Sequence, residues 1–119
     1  MRNFRELKVW EKGHRMTFGI YKATAQFPRD ELYGLTSQIR RSYVSVPANI
    51  AEGCGRGSDA DLARFLQIAT GLASELEYHI LLANELGLME NREYEGLARE
   101  VTEVKRMLTS FIQKLKADR

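Results

Sequence analysis

The chain has 119 residues, 44% of them hydrophobic and 29% charged, with a formal net charge of +2. This length predicts one domain over residues 1–119, and the single cysteine excludes an internal disulfide. There is no apolar run of the roughly 18 residues that a membrane span requires and no signal-peptide core, so we expect a cytoplasmic protein without a membrane partner.

The first predicted helix runs from about Arg5 to Gln26 and ends before Pro28. A heptad stripe marks its inner face, formed by Trp10, Gly13, Thr17, Ile20, Thr24 and Phe27. At 100° per residue, a basic face points away from this stripe. It suits either an ordinary solvated helix or contact with nucleic-acid phosphates, and it consists of Arg5, Lys8, Lys12, Arg15 and Lys22.

The second predicted helix starts near Asp30 and continues to about Glu52. Pro47 lies inside it and removes an amide donor, at a cost of about 3 kcal/mol unless other groups compensate, which predicts a kink. Ser45 and Asn49 are placed to hydrogen-bond around the gap. Alternatively, the helix breaks and restarts with Pro47 at its first position.

The glycine-rich segment VSVPANIAEGCGRGSDADL, residues 44–62, follows a helix and does not complete a dinucleotide or P-loop motif. We therefore interpret it as a corner, with Gly53 or Gly55 ending the second helix in a left-handed conformation. Ser58 then caps the third helix. The alternative is anion binding at that helix start with Arg56, which the two acids Asp59 and Asp61 oppose.

The third predicted helix, Asp59 to Leu86, has one broad apolar face, and Gly87 with Leu88 predicts a Schellman stop. In the fourth helix we expect Asn91 as N-cap. Its stripe comprises Tyr94, Leu97, Val101, Val104, Leu108, Phe111 and Leu115. Four helices with short connections predict an all-α, antiparallel up-down-up-down four-helix bundle.

Antiparallel packing of the second and third helices predicts that Arg40 or Arg41 approaches Glu75 in an interhelical ion pair, which we interpret as structural. Glu75 and His79 are four residues apart without a second copy, which does not meet the pattern of a di-iron bundle. No histidine lies near Cys54 in the sequence to activate it. We predict no catalytic residue, no metal site and no cofactor.

Two runs, FPRDELYGLTSQIRRSYVSVPANIAEGCGR and GLASELEY, resemble the bacterial four-helix-bundle proteins named for open reading frames inside 23S rRNA intervening sequences. The similarity covers nearly the whole chain, from Leu7 and Trp10 to the last helix. Leu72 is a departure, since the family pattern suggests a small polar residue there. The resemblance rests mainly on Leu35 to Arg41, followed by Ser45, Pro47, Asn49, Ile50, Ala51, Glu52, Gly53, Gly55 and Arg56.

The resemblance implies a homo-oligomeric ring, commonly a pentamer, without established enzymatic activity. A related accessory protein of diversity-generating retroelements engages nucleic acid and reverse transcriptase, which suggests RNA or DNA binding here by analogy. In a ring, a polar stripe on the second helix could form the subunit interface. This stripe consists of Gln38, Arg41, Ser45, Asn49, Glu52 and Arg56.

Three hypotheses follow for the function. The first is a non-catalytic oligomer that binds nucleic acid through the basic face of the first helix. The second is a scaffold for a protein partner. The third is an enzyme, which would require a deep pocket joining Glu75, Arg40 and His79.

Overall fold

The structure is a computed structural model that describes residues 2–117. Over this part of the chain it contains four α-helices and no strand, which confirms the all-α prediction. None of these helices is long and apolar enough to cross a membrane. The helices are α1 (Lys8–Ala25), α2 (Leu35–Cys54), α3 (Asp59–Glu85) and α4 (Asn91–Ala117), with short 3-10 turns at Phe4–Glu6 and Arg29–Glu31.

Each helix packs against two others, so that the four close around a shared core. The contact between α2 and α3 is the most extensive, α3 also packs on α4, and α1 lies against α2 and α4. Each helix contributes fully buried side chains to this core, for example Ile20, Ile39, Leu76 and Val104. Apolar burial of this kind is the main force that holds the bundle together.

The first two helices begin later than the sequence predicts. The side chain of Asn3 accepts a hydrogen bond from the Arg5 amide and caps a 3-10 turn, after which Leu7 is extended. Arg5 therefore lies outside α1. Similarly, residues 29–31 form a 3-10 turn, and α2 starts only at Leu35. Leu32 therefore lies outside α2 and is 42% exposed.

Pro47 lies within an unbroken α2, so the alternative of a helix that restarts at this proline is wrong. The proline is buried opposite Gly13 of α1, where a Cβ would lie 4.0 Å from the Pro47 Cβ. The side-chain amide of Asn49 donates to the carbonyl of Ser45 at 2.8 Å, within the turn that contains the proline. Asn49 therefore supplies a hydrogen bond beside the gap, as expected.

The corner after α2 turns at a different glycine from the one predicted. Gly53 lies inside the helix, Gly55 has a right-handed conformation, and the left-handed residue is Gly57, with φ of 89°. The hydroxyl of Ser58 accepts a hydrogen bond from the Asp61 amide at 3.1 Å, which confirms the predicted cap.

The predicted stop after α3 is also confirmed. Gly87 has φ of 81°, its amide donates to the Asn84 carbonyl, and the Leu88 amide donates to the Ala83 carbonyl at 2.9 Å. These two bonds form a Schellman motif. Asn91 is the first residue of α4 rather than its N-cap, and its side-chain oxygen accepts a hydrogen bond from Asn84.

Two of the predicted stripes match the observed core at most positions and differ from it at a few. In α1 the buried side chains include Val9 and Met16, whereas Trp10 and Thr17 are only half-buried. In α4, Ile112 is buried and its predicted neighbour Phe111 is half-buried. The heptad pattern identified helices correctly, but a mixed series of small and aromatic residues left the inner edge of each stripe uncertain by about one position.

Gly53 has a packing role. A Cβ at this position would lie 2.8 Å from the Phe65 Cβ and 3.0 Å from the Leu62 Cδ1. Both neighbours belong to the start of α3, so the absence of a side chain lets the two helices approach closely beside the corner. Gly71 offers a contrast, since a Cβ there would meet no atom within 4 Å.

We predict that Gly53→Ala lowers the free energy of unfolding by about 1–2 kcal/mol, because overpacking outweighs the helix propensity that alanine adds. Gly71→Ala is the matched control and should raise it by about 0.5–1 kcal/mol, since alanine gains the same propensity without a clash. Urea denaturation of both variants measures the difference. Equal effects of the two substitutions would contradict the close contact.

Candidate functional site: the basic surface and the outer face of α2

Three of the five predicted basic residues lie together on the side of α1 that faces α4. Lys8, Lys12 and Arg15 line one groove, which also includes Glu11 and, from α4, Glu103. Arg15 pairs with Glu11 at 2.6 Å, and both side chains are exposed. Lys8 and Lys12 form no ion pair among residues 2–117. Two lysines in this groove therefore keep their charge available for an anion.

The other two predicted residues lie apart from this group. Arg5 belongs to the 3-10 turn, where its guanidinium lies 4.5 Å from the ring centroid of the adjacent Phe4. Lys22 is exposed in the last turn of α1. The surface is thus concentrated at the first half of α1.

Further cations reach the same region from parts of the chain that the sequence prediction did not use. Arg106 and Lys114 of α4 line a cavity together with Lys8 and Arg2. The backbone amide of Arg2 donates to the carbonyl of Cys54 at 2.9 Å, which ties the N-terminal segment across the end of the bundle. The predicted up-down-up-down order of the helices could have suggested the two α4 residues. No pattern in the sequence predicts that Arg2 lies at this end of the bundle.

The predicted polar stripe of α2 lies on the outside of the bundle, where its members bond to one another. The Arg41 guanidinium donates to the Gln38 amide oxygen at 2.6 Å. Asn49 donates to the Ser45 carbonyl at 2.8 Å, and Arg56 pairs with Glu52 at 3.5 Å. Bonds within one helix satisfy these groups in a single chain, so the stripe does not by itself require a partner.

The predicted ion pair across α2 and α3 is wrong. Glu75 accepts a hydrogen bond from the buried hydroxyl of Ser42 at 3.3 Å. Arg40 instead points to α1, where its Nε lies 3.5 Å from the Thr24 hydroxyl and its guanidinium lies 5.4 Å from the centroid of the Tyr21 ring. Arg40 and Ser42 are two residues apart and therefore about 200° apart around the helix, so only one of them can face α3.

An aromatic strip, formed by Trp10, His14, Phe18 and Tyr21, runs along α1. The Trp10 and His14 rings stack with centroids 4.7 Å apart, and His14 meets the edge of Phe18 at 5.0 Å. Phe18 and Tyr21 are each 57% exposed, and Val44 on α2 is 52% exposed. Large apolar groups that the fold leaves in solvent indicate a surface for association.

The remaining titratable groups have packing roles. Cys54 is 2% exposed, and burial raises the pKa of its thiol, so little reactive thiolate forms at neutral pH. His79 is half-buried, and its Nδ1 has no hydrogen-bond partner. Within residues 2–117, no group of three or more histidine, cysteine or acidic residues is arranged to hold a metal ion. The cavity that Arg106 and Lys114 line includes neither Glu75, Arg40 nor His79.

Comparison with known proteins finds both a matching family and similar solved structures. The family described as 23S rRNA-intervening sequence protein matches residues 5–110. The crystal structure of a protein of unknown function from the S23 ribosomal protein family of Bacteroides thetaiotaomicron is similar, with a TM-score of 0.80 and 30% sequence identity. The similarity covers 87% of this chain and 97% of that one. A search of the curated proteins returned no match.

The family match spans most of the chain, and the solved structure shares its fold and is 30% identical where the two align. This similarity agrees with the four helices described above. The chain belongs to the 23S rRNA-intervening sequence protein family.

Proposed function

We propose that this protein is a non-catalytic accessory factor of the cytoplasm that binds RNA or other nucleic acid through the basic surface of α1. The observation that carries the proposal is the alignment of Lys8, Lys12 and Arg15 in one groove, with both lysines unpaired within the described chain. Arg106 and Lys114 extend the positive charge onto α4. Phosphate backbones bind such surfaces by releasing counterions.

The buried chemistry supports a binding role over an enzymatic one. The Thr24 hydroxyl donates to the Ile20 carbonyl of its own helix at 2.9 Å, and the Ser42 hydroxyl lies within hydrogen-bond distance of both the Gln38 carbonyl, at 3.1 Å, and Glu75. Cys54 packs beside the corner as a buried, protonated thiol. These polar groups stabilise the fold, and the charged groups that face solvent are left for interaction with a partner.

We further propose that the chain is an up-down-up-down bundle that assembles into a homo-oligomeric ring through the outer face of α2. Two features support an association surface: the polar stripe around Asn49 and Glu52 on α2, and the exposed apolar side chains of Phe18, Tyr21 and Val44. Apolar groups flanked by polar ones are the usual anatomy of an interface. A pentamer is the number that the family resemblance suggests.

The aromatic strip also favours the second candidate, a scaffold for a different protein. Exposed aromatic residues are typical anchors of protein interfaces, and Phe18 and Tyr21 would serve either role. A protein partner that remains bound after nuclease treatment would favour this candidate over nucleic-acid binding.

We predict that wild-type protein binds a generic single-stranded RNA with a log-affinity slope against log salt of about −3.5, as about five phosphate contacts imply. Replacing Lys8, Lys12 and Arg15 by alanine should reduce the magnitude of this slope by about 2, since each lost phosphate contact removes about 0.7 from it. Fluorescence anisotropy at several salt concentrations measures both values.

The matched control removes three exposed cations from elsewhere: Arg29, Arg64 and Arg92 are replaced by alanine. This control variant changes the net charge by the same amount but leaves the basic surface of α1 intact. It should therefore weaken RNA binding much less. If the two triple variants bind with equal affinity, the surface on α1 is not the binding site.

We predict that Asn49→Ala or Glu52→Ala lowers the molar mass measured by light scattering, because each removes a polar contact at the proposed subunit interface. Gln67→Ala, an exposed position on α3, is the control and should leave the mass unchanged. An unchanged mass in the α2 variants would argue against this interface.

A further inference from the structure

A cavity lies at the end of the bundle, where the N-terminal segment meets the second half of α4. Its volume is about 510 Å³, and small-molecule sites typically measure about 300–1,000 Å³. The apolar part of the wall is formed by Leu7, Val9, Met107 and Phe111. Three of these four side chains are aliphatic, which suits a hydrocarbon body.

The charges around the cavity have one sign. Arg2, Lys8, Arg106 and Lys114 line it, and no acidic residue among those described does so. Lys8 and Lys114 form no ion pair within residues 2–117. An anionic group placed here would meet cations from both sides of the cavity.

The two arginines have acidic partners that lie outside the lining. Arg2 is 3.5 Å from Asp59, and Arg106 is 2.9 Å from Glu103. Both pairs are exposed to solvent, which weakens an ion pair, so neither holds its arginine strongly. The guanidinium of Arg2 also lies 5.6 Å from the centroid of the Phe111 ring and partly covers it. This position leaves the aliphatic wall, rather than the aromatic face, as the open apolar surface.

We propose that this cavity binds a small amphipathic anion, an unbranched aliphatic carboxylate whose chain lies on Leu7, Val9 and Met107. Its carboxylate would be bound by Lys114 and Arg106. The apolar wall is complementary to the hydrocarbon chain of such a ligand, and the basic rim is complementary to its carboxylate. A phosphate ion would contact the basic rim alone. The cavity shares Lys8, Arg106 and Lys114 with the surface proposed for nucleic acid, so the tests below measure binding of the free carboxylate in the absence of RNA.

The test is isothermal titration calorimetry of the full chain with laurate below its micelle concentration. We expect saturable binding of one laurate per chain. From octanoate to laurate, affinity should rise about three- to fourfold for each added methylene, as expected for burial of the chain. The dodecyltrimethylammonium cation has the same tail with the opposite charge and should not bind. Equal binding of the two amphiphiles would overturn the proposal.

Two variants separate the cavity from unspecific hydrophobic binding. Ser110 lines the cavity and is exposed, so Ser110→Trp should fill the space and abolish laurate binding without disturbing the core. Ser74→Trp places the same side chain at an exposed position of α3 and should leave binding unchanged. Unchanged affinity in Ser110→Trp, with circular dichroism showing a folded helical protein, would overturn the proposal.

The charge requirement is tested by the double variant Arg106→Ala and Lys114→Ala. It should weaken laurate binding about tenfold or more, since hydrogen bonds to a charged group are among the stronger ones. Lys8 is left intact, so the RNA-binding surface of α1 retains its three cations. Binding to vesicles of anionic phospholipid without any binding of free laurate would show a membrane surface instead and would also overturn the proposal.

Discussion

The close approach of α2 to α3 beside Gly53 is the constraint on which the rest of the structure depends. The helix surface there meets Phe65 and Leu62 at distances that leave no room for a side chain. This contact fixes the corner, because Gly57 must then reverse the chain within a few residues. With α2 and α3 set, α4 packs on α3, and α1 fills the remaining position between α2 and α4.

The position of α1 explains where the charged and aromatic surfaces lie. One side of α1 faces α4 and presents Lys8 and Lys12, whereas the other side lies along α2 and presents Phe18 and Tyr21. The same arrangement brings Arg106 beside Lys8. A basic surface and an apolar strip are thus separated by the width of one helix, which would let an oligomer form on one side while the other side stays open to an anion.

Much of the fold could be predicted from sequence because its signals are local. The serine cap at Ser58 and the glycine stop at Gly87 each depend on a few adjacent residues, and both were confirmed. The predicted start of α2 and the predicted left-handed glycine of the corner were both wrong. Gly34 and Gly57 have neighbours that are equally plausible at these positions, and only tertiary packing selects between them.

The candidate site was less predictable than the fold, because it joins residues that are far apart in the sequence. Helical spacing grouped Lys8, Lys12 and Arg15, but it could not show that Arg106 lies beside them. The contact of Arg2 with Cys54 depends on how the N-terminal segment crosses the bundle. A periodic pattern reports which side chains share a face of one helix, and it carries no information about the neighbour.

The central claim is that the bundle keeps its interior for packing and binds nucleic acid on the α1 surface beside α4. Photo-crosslinking with RNA that contains 4-thiouridine, followed by mass spectrometry of the linked peptides, tests it most directly. The account predicts crosslinks in peptides from the first half of α1 and the facing part of α4. Crosslinks confined to peptides of α2 and α3, on the other side of the molecule, would contradict it.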